Sequence, residues 1–229
     1  MIPKFQNIAN HRELKEYLTP SFWHEMKDYT FYFLKTVIII SVVYLFVRSS
    51  VFEKVGVNGL SMFPSYNATA NSSDEIFINK ISPKFETFKR GQVVVLISPP
   101  DCVEEKELFI KRIVGLPGET ISFESGSVKI TNSTYPEPGI KLDEKDYLAA
   151  EVKTYKAINT PDESAIIEKK LEKNEYFVMG DNRPGSNDSR RCGAIRADQI
   201  IGEEVYRLSP ANKKGFFKLP KYNIGSQND

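Results

Sequence analysis

The sequence predicts a mainly β domain, an antiparallel barrel or sandwich, behind one N-terminal transmembrane helix. Residues 29–47 form an apolar run that contains a single charge, Lys35. The chain after this run holds short segments rich in Val, Ile and Phe, separated by turns rich in Gly, Pro and Asn, which is typical of all-β domains. These segments do not alternate with long helical patterns, so a parallel βαβ arrangement is not expected.

The apolar run is long enough to cross a membrane, which takes about 20 mostly apolar residues. Lys35 can extend its ammonium group toward the membrane surface. We expect a retained anchor over residues 29–47, because residues 1–28 are a long leader for a cleaved signal peptide. A cleaved signal peptide and a buried core helix are the alternatives. Residues 1–28 are predicted to be a tail with a short helix over residues 11–18.

The β domain is predicted over residues 53–208. Its strand candidates are apolar or alternating and end at turn residues; they cover residues 53–59, 75–80, 92–98, 108–114, 120–124, 127–130, 175–179 and 200–208. Residues 131–174 contain several prolines and many charges, so they are predicted to form a small inserted cap, with a helix near residues 144–152. Residues 209–229 are predicted to be a C-terminal tail.

Composition excludes several kinds of chemistry. The net charge is only +1, so nucleic acid is not an expected partner. The two histidines, His11 and His24, precede the β domain, which excludes Ser-His or Cys-His catalysis and histidine-based zinc sites from it. We find no nucleotide-binding motif and expect no metal or organic cofactor. Cys102 and Cys192 either pair or stay reduced, and the sequence leaves both states open.

Lys111 and Arg112 are adjacent within the apolar strand predicted over residues 108–114. Side chains alternate along a strand, so whichever face is buried takes one cation with it. Burial disfavours the charged form of a lysine and lowers its pKa, and a neutral lysine can act as a general base. The alternative is a lysine on a half-buried strand with its ammonium group in water.

Two other segments offer hydroxyl groups, residues 59–65 and residues 180–190. A serine nucleophile needs a base within hydrogen-bond reach, and a neutral lysine is the natural candidate where no histidine is available. A hydroxyl group can orient such a lysine without raising its pKa, whereas a carboxylate would raise it. For any single serine, a role in a turn or a helix cap is the simpler explanation.

Taken together, three segments resemble the motifs of bacterial type I signal peptidases, which are membrane-anchored Ser/Lys endoproteases. The segments occur in the family's order behind one span: Gly59–Ser65, Ile110–Gly118 and Gly180–Arg190. The resemblance covers most of the chain outside residues 1–28 and 139–173. It implies an antiparallel β catalytic domain of the signal-peptidase type in which Ser61 is the nucleophile and Lys111 is its general base.

The same resemblance implies a supporting set around this pair. Ser186 matches the hydroxyl group that orients the lysine, and Asp181, Asp188 and Arg190 match a salt-bridged support. The backbone N–H of Ser61 would be one oxyanion donor. Gly59 stands where some family members carry a serine that supplies the second donor, so the source of that donor stays open.

The implied activity is removal of signal peptides from secreted preproteins by cleavage after small residues, typically in Ala-x-Ala sites. The substrate is expected to bind as an added strand, in pockets lined by Val57, Gly59, Met62, Phe109 and Ile110. For each apolar side chain, plain core packing is the alternative.

The resemblance also implies partners and a location. The expected partners are signal peptides and the lipid bilayer, with Phe52, Phe63 and residues 216–217 as candidate lipid contacts, and the chain is expected to be a monomer. The N-terminus is expected in the cytoplasm and the β domain outside it. A non-catalytic, membrane-anchored β domain that binds secreted chains is the main alternative. A repressor-type Ser/Lys autoprotease would lack the anchor, and a eukaryotic-type subunit would carry histidine at position 111.

Overall fold

The computed structural model describes residues 20–67, 73–81, 85, 87–100, 102–103, 105–155 and 168–222. The chain divides into two compact units, Met1–Ser49 and Ser50–Asp229. The short helix predicted over residues 11–18 lies outside the described residues. In chain order the helices and strands are α1 Pro20–Val51, β1 Phe52–Val57, β2 Asp74–Asn79, β3 Val93–Ile97, β4 Leu108–Gly115, β5 Thr120–Glu124, β6 Ser127–Thr131, β7 Ile140–Lys141, β8 Lys169–Lys170, β9 Glu175–Met179, α2 Ser189–Cys192, β10 Ile195–Arg196, β11 Ile200–Ser209 and β12 Gly215–Phe216.

Helix α1 contains the apolar run and extends beyond it at both ends. Over Trp23–Arg48 it is long and apolar enough to cross a membrane, and its large apolar side chains are exposed. The hydroxyl groups of Thr30 and Thr36 donate hydrogen bonds to the carbonyls of Met26 and Tyr32, at 2.7 and 2.8 Å, so these polar groups are satisfied within the helix. These features fit the predicted anchor.

The predicted antiparallel β fold is confirmed. The larger sheet has the strand order β1-β2-β11-β3-β4-β9-β10, with β12 added to β11, and the smaller sheet has the order β7-β6-β5-β8. Every described pairing is antiparallel. Strands β5 and β6 form the predicted hairpin, with Glu124 opposite Ser127 across the Ser125–Gly126 turn. The strand β4, which carries Lys111, is therefore an interior strand between β3 and β9.

The predicted helix over residues 144–152 does not form. The chain makes two separate turns there instead. In the first, the backbone N–H groups of Tyr147 and Leu148 donate to the carbonyl of Glu144 at 3.2 and 2.9 Å, and in the second the N–H of Val152 donates to the carbonyl of Ala149 at 3.0 Å. Tyr147 and Leu148 are buried, and tertiary packing of such side chains outweighs a weak helical preference. Before these turns β7 pairs with β6, and after them β8 pairs with β5, so both ends of the predicted cap belong to the smaller sheet.

The predicted C-terminal tail is partly ordered by the larger sheet. Strand β11 extends to Ser209, and β12 pairs back on it with Tyr206 opposite Phe216. The backbone N–H of Phe217 donates to the carbonyl of Val205 at 3.0 Å, which continues this association.

Candidate active site

Ser61 lies in a tight turn that directly follows β1. Gly59 opens the turn with φ +76°, a conformation that favours glycine, while a Cβ atom at this position would meet no other atom within 4 Å. The glycine is therefore required by backbone conformation and not by lack of space. The side-chain amide of Asn67 donates to the carbonyls of Val57 and Gly59 at 2.7 and 2.8 Å, which closes the base of the turn and fixes the position of Ser61.

Lys111 projects from β4 toward this turn. Its Nζ is 3.0 Å from Ser61 Oγ, 3.0 Å from the carbonyl oxygen of Ile110 and 4.7 Å from the centre of the Phe109 ring. The side chain is only 3% exposed. Burial lowers the pKa of Lys111 to about 8, even though the carboxylates of Asp188 and Asp181 act in the opposite direction. A hydroxyl group and a readily deprotonated amine in hydrogen-bond contact have the arrangement that a serine nucleophile and a lysine base require.

The loop after β9 also holds the Ser61 turn, through hydrogen bonds from Asn182. The backbone N–H of Asn182 donates to the carbonyl of Ser61, and its side-chain amide donates to the carbonyl of Leu60, both at 3.0 Å. A Cβ atom on Gly180 would collide with the same Ser61 carbonyl and with the side chain of Ser186, so this close approach requires glycine. Sequence reasoning singled out this loop but missed Asn182, because a role as a clamp depends on which backbone groups it faces.

Ser186 lies beside the site, but no hydrogen bond joins it to the lysine amine in the described part of the chain. It is 1% exposed and lies against Gly180, yet within the described residues its Oγ has no hydrogen-bond partner. Lys111 instead uses the Ile110 carbonyl as its second partner. That Ser186 orients Lys111 thus remains a prediction.

The carboxylates near Lys111 are both paired with arginines. Arg112 binds Asp181 through two hydrogen bonds of 2.8 and 2.6 Å, and Arg190 binds Asp188 through two of 2.8 and 2.7 Å. Asp188 also accepts the backbone N–H of Gly180 at 3.0 Å. Burial alone would lower the pKa of Arg112, but the Asp181 carboxylate outweighs this effect and raises that pKa, so the guanidinium group stays charged. Paired carboxylates support the loop while raising the lysine pKa less than free ones would.

A cleft of about 900 Å³ runs between β1 and the start of β4, with Ser61 and Lys111 in its wall. Of the residues predicted to bind substrate, Gly59, Phe109 and Ile110 line this cleft. The side chains of Val57 and Met62 pack in the hydrophobic core and do not line the cleft, and the side chain of Ile110 belongs to the same core cluster.

Both walls of the cleft have free strand edges in the described part of the fold. Strand β1 pairs only with β2, and the pairing of β4 with β9 begins at Arg112, so Leu108–Lys111 is bonded to β3 alone. Unpaired backbone N–H and C=O groups on facing strands can accept an extended peptide as an additional strand.

The two cysteines, whose state the sequence left open, form a disulfide. The Cys102–Cys192 bond joins the loop between β3 and β4 to helix α2, with the two Cα atoms 4.9 Å apart. Val103 and Glu107 of the same loop line the cleft. The disulfide therefore tethers one wall of the cleft to the segment that follows Asp188.

The chain is similar to known proteins of one family. The family model described as signal peptidase, peptidase S26, matches residues 30–209. Signal peptidase I P of Bacillus subtilis subsp. natto is 33% identical over 79% of this chain and 89% of its own length. Signal peptidase I of Bacillus licheniformis is 31% identical over 82% of this chain and 92% of its own length. A crystal structure of a signal peptidase I from Enterococcus faecalis V583 is 22% identical and covers 52% of this chain and 97% of that one, with a TM-score of 0.36.

Proposed function

The chain belongs to the signal peptidase S26 family, and we propose that Ser61 is the nucleophile of its peptidase and Lys111 the general base. The protein is a signal peptidase I, a membrane-anchored serine endopeptidase that removes signal peptides from preproteins. One observation carries the assignment of roles: a lysine that is 3% exposed lies 3.0 Å from the hydroxyl oxygen of a serine in an open cleft.

Catalysis begins with the neutral form of Lys111. Its Nζ takes the proton of Ser61 Oγ as that oxygen attacks the carbonyl carbon of the scissile bond. The backbone N–H of Ser61 stabilises the negative charge that develops on the carbonyl oxygen. The resulting ammonium group then protonates the departing amine, which leaves an acyl-enzyme. Neutral Lys111 finally activates a water molecule, which releases the signal peptide and restores the serine.

The cleft supports a substrate that binds in an extended conformation with small side chains near the cut. Phe109 forms an apolar wall of the cleft that holds Ser61, and Gly59 leaves room at the turn. An Ala-x-Ala sequence fits this setting, because alternate side chains of a strand point to the same side. Helix α1 would keep the enzyme at the membrane, in single-pass form with its N-terminus in the cytoplasm and the β unit outside, acting as a monomer.

The test is cleavage in detergent of a synthetic preprotein with an Ala-x-Ala site. Wild type should cut after the second alanine. Ser61→Ala and Lys111→Ala should each lose roughly 10³-fold or more in rate, whereas Ser133→Ala and Lys89→Ala, at exposed positions, should cleave like wild type. Full cleavage by Ser61→Ala would contradict the mechanism. A folded wild type that binds but never cleaves would favour the non-catalytic alternative.

A further inference from the structure

Residues 142–155, here called the cap segment, contact three arginines behind the catalytic pair. The guanidinium group of Arg112 stacks on the ring of Tyr147 at 4.2 Å. The guanidinium group of Arg183 binds the carboxylate of Glu144, with one of the hydrogen bonds at 2.8 Å, and it also binds the Thr154 hydroxyl group. Arg190 donates to the carbonyl of Tyr155 at 3.5 Å.

Arg183 is the most deeply buried of these cations. It is 1% exposed and stands directly after Asn182, whose backbone and side chain hold the Ser61 turn. Its Nε also donates to the carbonyl of Gly180 at 3.2 Å, so the side chain folds back under its own loop. Burial would lower the pKa of Arg183, but Glu144 outweighs this effect and raises it. A buried guanidinium needs such a partner, since an unpaired buried charge is strongly destabilising.

The contacts form a continuous path from the cap segment to the nucleophile. Glu144 fixes Arg183, Arg183 fixes the loop that begins at Gly180, and that loop fixes the carbonyls of Leu60 and Ser61 through Asn182. Glu144 does not line the substrate cleft. Its influence on the reaction therefore passes through the position of Ser61 and not through substrate contacts.

We propose that Glu144 is a positioning residue for peptide cleavage, acting through Arg183 on the loop that holds Ser61. The proposal rests on the proposed roles of Ser61 and Lys111. It gives the cap segment a function: the segment supplies the counter-charge that keeps this loop in register with the nucleophile.

The proposal predicts a specific kinetic change. Glu144→Gln keeps the size of the side chain but removes its charge, so Arg183 loses its ionic partner and the loop loses its anchor. We expect kcat to fall about 10- to 100-fold, since small displacements of reacting groups are costly, while KM changes by less than about threefold. Glu144→Asp keeps the charge on a shorter side chain and should recover part of the lost kcat.

The experiment measures kcat, KM and Tm for the full-length protein in detergent with the Ala-x-Ala preprotein, well below the Tm of each variant. Glu151→Gln is the matched control, because it makes the same change at an exposed position of the cap segment and should behave like wild type. The double variant Glu144→Gln/Arg183→Met removes the unpaired charge as well. It should regain thermal stability relative to Glu144→Gln but keep the low kcat.

Two results would overturn the proposal. One is a folded Glu144→Gln variant with the kcat of wild type. The other is a double variant that regains kcat together with Tm, since that would make stability alone the role of the pair. Failure of the proposed function is separately visible, because wild type would then not cleave or Ser61→Ala would cleave fully.

Discussion

At the scale of single residues, the burial of Lys111 makes its amine easier to deprotonate and makes the folded protein less stable. Among the described residues, the hydrogen-bond partners of the amine are the Ser61 hydroxyl group and the Ile110 carbonyl, and neither is a carboxylate. Its pKa falls from the ordinary value of 10.5 to about 8 because burial disfavours the charged form. At a pH where the lysine is protonated, this shift in pKa lowers the free energy of unfolding of the protein.

Lys111→Met should therefore be inactive but more stable. At neutral pH we expect its free energy of unfolding to exceed that of wild type by roughly 1–3 kcal/mol, because an apolar side chain replaces a buried ammonium group. The unfolded chain holds this proton more tightly than the folded one, so wild-type stability should rise between pH 8 and 10.5, the two values of the lysine pKa. The advantage of the methionine should shrink over the same interval. Urea unfolding of both proteins at each end of this pH range measures the difference in their free energies of unfolding. A difference that does not shrink toward the higher pH would count against the lowered pKa of Lys111.

At the scale of elements, the Cys102–Cys192 disulfide ties the loop between β3 and β4 to helix α2. The cysteines are 90 residues apart in sequence, and a disulfide typically contributes about 2–4 kcal/mol to stability, more for longer loops. Cys102→Ser/Cys192→Ser should lower Tm and the midpoint of guanidinium unfolding. Since neither cysteine is a hydrogen-bond partner of Ser61 or Lys111, kcat should persist below Tm.

A reducing agent should shift the wild-type unfolding midpoint toward that of the double variant and leave the double variant unchanged. Equal midpoints for wild type and the double variant under oxidising conditions would mean that the crosslink does not stabilise the fold.

The strands and helices differ in how well the sequence could predict them. The longer strands, such as β3, β4 and β11, follow from apolar runs bounded by turn residues. Strands β7, β8, β10 and β12 have two residues each, and two residues carry no periodicity. The helix expected at residues 144–152 is replaced by two short turns, because Glu144 and Tyr147 pack on Arg183 and Arg112. Such contacts depend on how distant segments pack together. For the same reason the sequence could not predict the contacts of Asn182 with Leu60 or of Glu144 with Arg183.

The site itself was predictable only in part. Ser61 and Lys111 are 50 positions apart, and the absence of histidine from the β domain together with the motif resemblance brought them together. The core positions of Val57 and Met62 could not be distinguished from cleft positions, because an apolar side chain beside a nucleophile suits either one.

At the scale of the whole molecule, the chain combines an N-terminal unit whose helix suits a lipid environment with a β unit that holds the cleft. The apolar side chains of α1 are exposed along most of Trp23–Arg48, and an apolar surface of that extent is stable in lipid and not in water. The β unit carries the cleft, Ser61, Lys111 and the loops that hold them. A membrane-anchored enzyme of this kind acts where the apolar part of a signal peptide also resides.

The pH dependence of kcat/KM tests the central claim most directly. Only the neutral form of Lys111 can accept the Ser61 proton, and its pKa is about 8. Below this value we predict that kcat/KM for the Ala-x-Ala preprotein falls about tenfold for each pH unit; above it the rate should reach a plateau. A rate that is flat from roughly pH 6 to 9, or that rises toward acid, would contradict a lysine general base.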